Sequence, residues 1–376
     1  MTAQKSAEVF QLLASIQKLG QGTSTKELAK KQASMRFNKF DLHRWEPDFI
    51  DGYELKTPTG KAITLRQIWD AYVNGENIAL SGPYGSGKST IAFHLMDEAN
   101  ETTRVKNRAI AAENEKALKA NPNLDPAELE APFELPYPIE HLSCHEETRT
   151  IEVLGDVDLV YDDNGNKKPV VRWGHVPRAW TLGRTLIAEE VDTAPAGVWV
   201  GTNQFFDGRT EETDIFLNGV QHLVKHKRFR FMATMNTLMQ GENVEEYAGT
   251  QAQNGAWVSR FGYTVIVDYM RAHAEINLII RKTGLDKSVA TFMVEAANKS
   301  RESYRERSCD APISTRDLLA WSREVVRAQK RENITSSSHS YMSDVVVPSA
   351  WPTFVCRQSD QATRNSYMEF LKVRHN

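Results

Sequence analysis

The run SGPYGSGKST (81–90) fits the spacing G-x-x-x-x-G-K-[ST], with Gly82, Gly87, Lys88 and Ser89 in the fixed places. Glycines at such spacing let successive main-chain N–H groups face one anion. A helix that starts there adds the positive end of its dipole. Lys88 is placed to bridge the β- and γ-phosphates of a nucleoside triphosphate, and Ser89 to offer its hydroxyl to Mg²⁺. Gly82, Pro83, Tyr84, Gly85, Ser86, Gly87, Lys88, Ser89 and Thr90 are therefore read as one phosphate cradle.

Hydrolysis needs more than a cradle. One carboxylate must help hold the metal's shell and another must orient the attacking water. TLIAEEVD (185–192) supplies both after an apolar run, with Glu189 in the metal position and Glu190 in the water position. Taken alone, the pair is two charges leaving a strand for solvent. Asn236, ending RFRFMATMN, can hydrogen-bond the same water or the γ-phosphate, although an Asn there is also an ordinary turn residue. Arginine neutralises a transferring phosphoryl group best. Arg260 in WVSRFG and Arg316 in PISTRDLLAW are the candidates, Arg271 comes next, and for any one of them a surface ion pair is the plain alternative.

Elements of alternating type must position these residues. NIALSG (77–82) is a short apolar strand running into the glycine loop, and STIAFHLMDEA is the helix leaving it. Residues 101–135 read as an exposed, Ala-, Glu- and Lys-rich helical extension followed by an irregular connector. Strands are expected at 137–144, 185–192 and 228–237, and Asp-Asn-Gly-Asn between two β-prone runs predicts a hairpin over 157–173. From 273 to 331 the period is helical, TSSSHS (335–340) reads as a flexible linker, and the rest as a tail with a helix-like end. Strands alternating with helices imply an α/β unit with a mostly parallel sheet, here followed by a helical unit.

The 376 residues suit two or three compact units, and a net charge of −3 gives no global field for nucleic acid. The basic stretch KELAKKQASMRFNKF within a helical leader is read as a solvated helix face before nucleic-acid binding. Cys144, Cys309 and Cys356 are odd in number and far apart, so neither a disulfide framework nor a Cys-x-x-Cys metal site is written here. The pair Cys144-His145 is read as a core thiol and a surface imidazole. No run is long and apolar enough to span a bilayer or serve as a signal peptide, so no membrane is expected and the cytoplasm, of a cell or an infected host, is the expected location.

The motif order resembles the AAA+ ATPases, and more narrowly the MoxR family and the CobS ATPase subunit of cobalt chelatase. GPYGSGKST, LIAEEVD, FRFMATMNT, GTQAQNGAWVSRFGYTVIVDY and ISTRDLLAW carry the likeness, over about residues 46–331. It implies a leader at 1–45, an AAA+ P-loop core at 46–267, a helical lid at 268–333, and a linker and tail at 334–376. By position it makes Gly82–Ser89 Walker A, Glu189 and Glu190 Walker B, Asn236 sensor 1, Arg260 an arginine finger for the next subunit, and Arg316 sensor 2. The 157–173 hairpin fits the insert such proteins carry near a central pore or partner surface. The likeness further implies ATP with Mg²⁺, ATP hydrolysis, a hexameric homo-oligomeric ring, and remodelling of a protein partner, often one with a von Willebrand factor A-type domain. Family members usually have Asp where this chain has Glu189, which implies a weaker hold on Mg²⁺ and slow turnover. Two other readings stay open, a nucleic-acid translocase or replication factor and a nucleotide-dependent scaffold.

Overall fold

The computed structural model describes residues 52–372, apart from 123, 126–127, 162–164, 218, 238–248, 310, 335, 337, 339 and 359–360. The expected leader, and the loop between Thr237 and Gly249 that shapes part of the CobS likeness, lie outside the described residues. In chain order the elements are β1 (Glu54–Lys56), α1 (Leu65–Val73), β2 (Ile78–Ser81), α2 (Lys88–Ala120), β3 (Ile139–Ser143), β4 (Gly155–Tyr161), β5 (Lys167–Trp173), α3 (His175–Leu182), β6 (Thr185–Glu189), β7 (Glu212–Phe216), β8 (Val220–Val224), β9 (Arg230–Met235), β10 (Tyr263–Asp268), α4 (Ala272–Thr283), α5 (Lys287–Arg305), α6 (Thr315–Glu332) and α7 (Gln361–Phe370), with shorter helical turns between them. The chain forms two compact units. Ile63–Ser81 and Ser89–Val265 make the first, while Gly82–Lys88 and the chain from Ile266 onward group with the segment ending at Ala62 as the second.

In the first unit β2, β9, β6 and β3 lie side by side in that order, all parallel. The residues of β2, β9 and β6 are nearly all buried, as in IALS and FMATM, which is why these strands read as continuous apolar runs, while β3 at the edge alternates. Trp180, Trp199, Trp257, Phe205 and Phe231 fill the core beside the sheet, with Trp199 stacked on Trp257 at 4.8 Å between ring centroids. The antiparallel hairpin β4–β5 matches the one expected over 157–173. A second hairpin, β7–β8, was not expected, although Asn218-Gly219 between ETDIF and VQHLV is the turn signal that announces one. Both hairpins expose large apolar side chains, Leu159 and Tyr161 on the first, Phe216 and Val220 on the second.

The expected extension is one continuous helix with the helix that leaves the glycine loop: α2 runs 33 residues. Asn100, Asn107 and Asn114 stand seven residues apart, about two helical turns, and so share a face. Each grips the returning chain by the N–H and the C=O of a single residue. Asn100 donates to Tyr137 O at 3.0 Å and accepts from Tyr137 N at 3.0 Å. Asn107 does the same to Phe133, at 2.9 and 2.7 Å, and Asn114 to Glu130, at 2.6 and 3.1 Å. The irregular connector is thus tied along the helix by its main chain.

In the second unit α4, α5 and α6 pack around Met293, Leu318, Trp321 and Val325. Tyr341, Val346, Phe354 and Tyr367 belong to the same core, and Trp321 Nε1 donates to Val346 O at 2.8 Å. The segment after 340, expected as a tail, is therefore helical over most of its length and built into this unit. Its signal was the recurrence of Val345, Val346, Ala350, Phe354 and Val355 at helical spacing. Ser314 starts α6 with a capping box, its hydroxyl accepting from the N–H of Asp317 and its own N–H donating to the Asp317 carboxylate. β1 pairs antiparallel with the end of β10, Leu55 opposite Val267.

Candidate nucleotide-binding site

The three central strands of the first unit end together. Ser81 closes β2 opposite Met235 of β9, and Ala188 of β6 lies opposite Ala233. In open α/β sheets ligands bind beyond such carboxyl ends. Past the end of β2 the chain enters the glycine loop, β6 ends on Glu189 with Glu190 next, and past β9 comes Asn236. The structure thus brings Glu189, Glu190 and Asn236 to one edge.

Glu190 has φ 54°, one of three non-glycine residues with positive φ among those described. That conformation costs an L-residue roughly 1–2 kcal/mol. It is held by the Glu190 N–H donating to Thr234 Oγ1 at 3.2 Å and the Val191 N–H donating to Thr234 O at 3.1 Å.

Two residues that the motif reading passed over organise this edge. Asp192, fully buried, accepts through Oδ2 from Asn236 N at 2.9 Å, Thr237 N at 2.9 Å and Thr237 Oγ1 at 3.0 Å. Its Oδ1 has no hydrogen-bond partner among the described residues. Ser81 Oγ donates to Thr237 O at 2.9 Å, so the ends of β2 and β9 and the turn after β6 are one hydrogen-bonded assembly. His141 on β3 pairs through Nε2 with Glu189 Oε2 at 2.5 Å. The signal for Asp192 was in EEVD itself, a third carboxylate one residue beyond the pair. No local pattern announces His141, which reaches Glu189 across neighbouring strands. Cys144 N–H donates to Glu189 O at 2.9 Å. Burial first, then the carboxylates of Asp192, Glu190 and Glu189, push the Cys144 thiol up, so it is a neutral core thiol.

Arg260 lies in the same unit, where its Nε donates to Asn203 O at 3.1 Å and its NH1 group to Ala256 O. Its own carbonyl accepts from Asn77 Nδ2 at 2.8 Å.

The loop itself belongs to the second unit. Lys88 Nζ donates to Gly82 O at 2.7 Å and Pro83 O at 2.9 Å, so the ammonium is folded back on its own loop. Gly85 has φ +67°, and a Cβ there would meet Ser314 Cβ at 2.6 Å. Gly87 has φ +99°, and a Cβ there would meet the Tyr53 ring at 2.7 Å. Only glycine satisfies both the dihedral and the space. The first neighbour is the start of α6, and the Arg316 Cβ lies 3.5 Å from the same point beside Gly85. Arg316 is exposed and makes no ion pair among the described residues. The structure thus brings Arg316 to the loop within one unit. Ser89 and Thr90, the first residues of the first unit's share of α2, are half-buried.

The family model CbbQ/NirQ/NorQ C-terminal matches residues 275–336, which run from the first turn of α4 past the end of α6. The aerobic cobaltochelatase subunit CobS of Sinorhizobium sp is 23% identical over 192 residues, 50% of this chain and 57% of that relative. The C-terminal part of the chain thus matches that family model, and the chain resembles CobS. The CobS match spans little more than half of that curated relative. Among solved structures, a point variant of RuvB from Thermotoga maritima aligns with this chain at TM-score 0.42 and 12% identity, over 76% of this chain and 66% of that one. NtrX from Brucella abortus, solved in complex with ATP, aligns at TM-score 0.43 and 11% identity, over 82% of this chain and 67% of that one. These two likenesses are loose. Among the described residues, no helix is long and apolar enough to cross a membrane.

Proposed function

We propose that this chain is an AAA+ protein that binds ATP and hydrolyses it to drive the remodelling or activation of a protein partner. The observation that carries the reading is the common ending of β2, β9 and β6, which set Ser81, the residue that leads into the glycine loop, with Asn236 and the Glu189-Glu190 pair at one sheet edge. The domain reading that goes with it is an AAA+ core over 46–267 and a helical lid over 268–333, with the packed segment beyond 340 as an addition to the lid.

In this reading Gly82–Thr90 bind the phosphates, and Lys88 exchanges its two loop carbonyls for phosphate oxygens. Glu190 accepts a proton from the attacking water, and Asn236 orients that water. Arg316 neutralises charge from the lid. Arg260 does so for the neighbouring subunit of a hexameric ring. Ser89 and Glu189 are oxygen donors of the kind a hard cation takes, so they fit Mg²⁺, which when bound would neutralise the phosphates. The exposed apolar hairpins β4–β5 and β7–β8 are the surfaces that would meet the partner, a protein with a von Willebrand factor A-type domain. Glu189 stands where family members carry Asp, and His141 already holds it. That observation favours slow turnover, and with it the second reading, a scaffold that assembles on ATP.

The test is a pair of variants. Lys88→Ala should lose ATP binding, because the phosphate charge goes unmatched. Glu190→Gln should bind ATP as the wild type does, while turnover falls by roughly 10²-fold or more, since an amide cannot accept the proton. Wild-type protein that takes up no ATP, or Glu190→Gln with full turnover, would remove the reading. ATP-dependent assembly with scarcely any wild-type turnover would select the scaffold.

A further inference from the structure

The hydroxyl of Tyr269, just past the end of β10, donates to the main-chain O of Tyr84 at 3.0 Å. Tyr84 is inside the glycine loop, and the reading of that loop as a phosphate cradle is the ground on which this inference stands. A peptide unit is planar and trans, so its C=O and the next N–H point to opposite sides. Holding Tyr84 O therefore fixes which way the Gly85 N–H faces. The left-handed φ of Gly85 and the close backing by Ser314 leave that peptide few alternatives of its own.

Tyr269 is itself held. It is buried, and the guanidinium of Arg301 lies over its ring at 4.0 Å from the centroid. Arg301 on α5 is clamped in turn. It donates from NH1 to Glu275 Oε2 at 2.7 Å, from NH2 to Glu275 Oε1 at 2.9 Å, and from Nε to Ile313 O at 2.9 Å. Glu275 on α4, fully buried, also accepts from Thr315 Oγ1 at 2.5 Å, in the first turn of α6. One connected set of contacts thus joins α4, α5 and the start of α6 to a single peptide of the glycine loop. All of its members lie in the second unit. A bidentate buried pair of this kind is geometrically specific, and breaking it would leave an uncompensated buried charge, so it holds one arrangement firmly.

We propose that Tyr269 is a positioning residue for the phosphate loop. Its hydroxyl turns the Gly85 N–H toward the phosphates, and the Glu275–Arg301 pair sets Tyr269. The loop then binds nucleotide well only when the three helices are in this arrangement. By linkage, bound nucleotide favours that arrangement to the same degree.

Tyr269→Phe removes the hydroxyl and keeps the ring against Arg301. Titration with a slowly hydrolysed ATP analogue should show binding weakened by roughly 3–10-fold, the size of one hydrogen bond. In the nucleotide-free protein the amides of 84–86 should exchange hydrogen faster, while those of α4, α5 and α6 exchange as before. A purely structural role would loosen the helices as well. Arg301→Lys should weaken binding in the same direction, and the double variant should be no weaker than the worse single one, because both act through one hydroxyl. If Arg301→Lys melts below working temperature, Tyr269→Phe decides alone. Analogue binding and loop exchange at wild-type values in Tyr269→Phe would overturn the proposal while leaving the nucleotide reading intact. Wild-type protein that binds no analogue would overturn both.

Discussion

Asp192 and the asparagines of α2 do the same thing in opposite settings. Each is a short polar side chain that grips main-chain groups of a distant segment. Asp192 is acidic and fully buried, and one of its oxygens collects two N–H groups and a hydroxyl at the end of β9. Asn107 and Asn114 are neutral, and the bonds they make are exposed to water. A hydrogen bond to a buried charge is stronger and more costly to leave unmade than one that water can replace. The first grip can hold atoms where chemistry would need them. The second only ties a connector to a helix.

The largest effect should follow from Asp192→Ala. It strands the buried N–H groups of Asn236 and Thr237, at about 1–3 kcal/mol each. For a unit of this size that is a fall in melting temperature of roughly 5–15 °C, and ATP turnover should fall by about tenfold or more with it. A shift below about 2 °C would break the contrast, because Asp192 would then be no more than another replaceable grip.

A third buried carboxylate sharpens it. Glu140 on β3 is held by side chains rather than by main chain: His175 Nδ1 at 2.7 Å, Arg184 NH1 at 2.7 Å, and Arg178. Burial alone would push its carboxyl up. The hydrogen bonds from His175 and Arg178 and the charges of Arg178 and Arg184 outweigh burial and bring it from 4.5 to about 2. A lowered folded-state value means stability that is fully present above about pH 4.5 and is lost as pH falls toward 2. Glu140→Gln should therefore melt below the wild type at pH 7, with the gap closing across that window. A gap that does not change between pH 7 and pH 3 would show that the cluster contributes by shape and not by charge.

The smallest effect belongs to Asn107→Ala. Its melting temperature should stay within about 2 °C of wild type, since exposed bonds of this kind contribute about 1 kcal/mol or less. Amide exchange at Phe133 and its neighbours should speed up locally. A global drop as large as that of Asp192→Ala would erase the distinction between the two settings.

The glycine loop, the strands around it, the first hairpin and the helical character of 273–331 were legible because each has a periodicity or a turn pair that local physics enforces. The ends of β2, β6 and β9 were legible for the same reason, so Glu189, Glu190 and Asn236 could be placed together before any coordinates. His141, the Tyr269 hydroxyl and the Glu275–Arg301 pair were not, because their partners are remote in sequence and nothing local marks them. The part beyond 340 was misread as a tail because Ser-rich TSSSHS precedes it. Pro348 and Pro352 then interrupt the pattern, yet both sit inside helical turns whose apolar side chains complete the core around Trp321.

The ladder on α2 also says how this part of the chain can vary through descent. Asn100, Asn107 and Asn114 reach the returning chain through the main chain of Tyr137, Phe133 and Glu130. None of the bonds reads a side chain, so almost any can stand at exposed Phe133 and Glu130, whereas the Tyr137 ring also packs against Tyr72. Inserting or deleting a single residue between them is another matter, because it would carry every later peptide unit past its asparagine. Related chains that keep this arm should therefore differ freely in the letters of the returning strand and hardly at all in their number, the reverse of the usual behaviour of a surface connector.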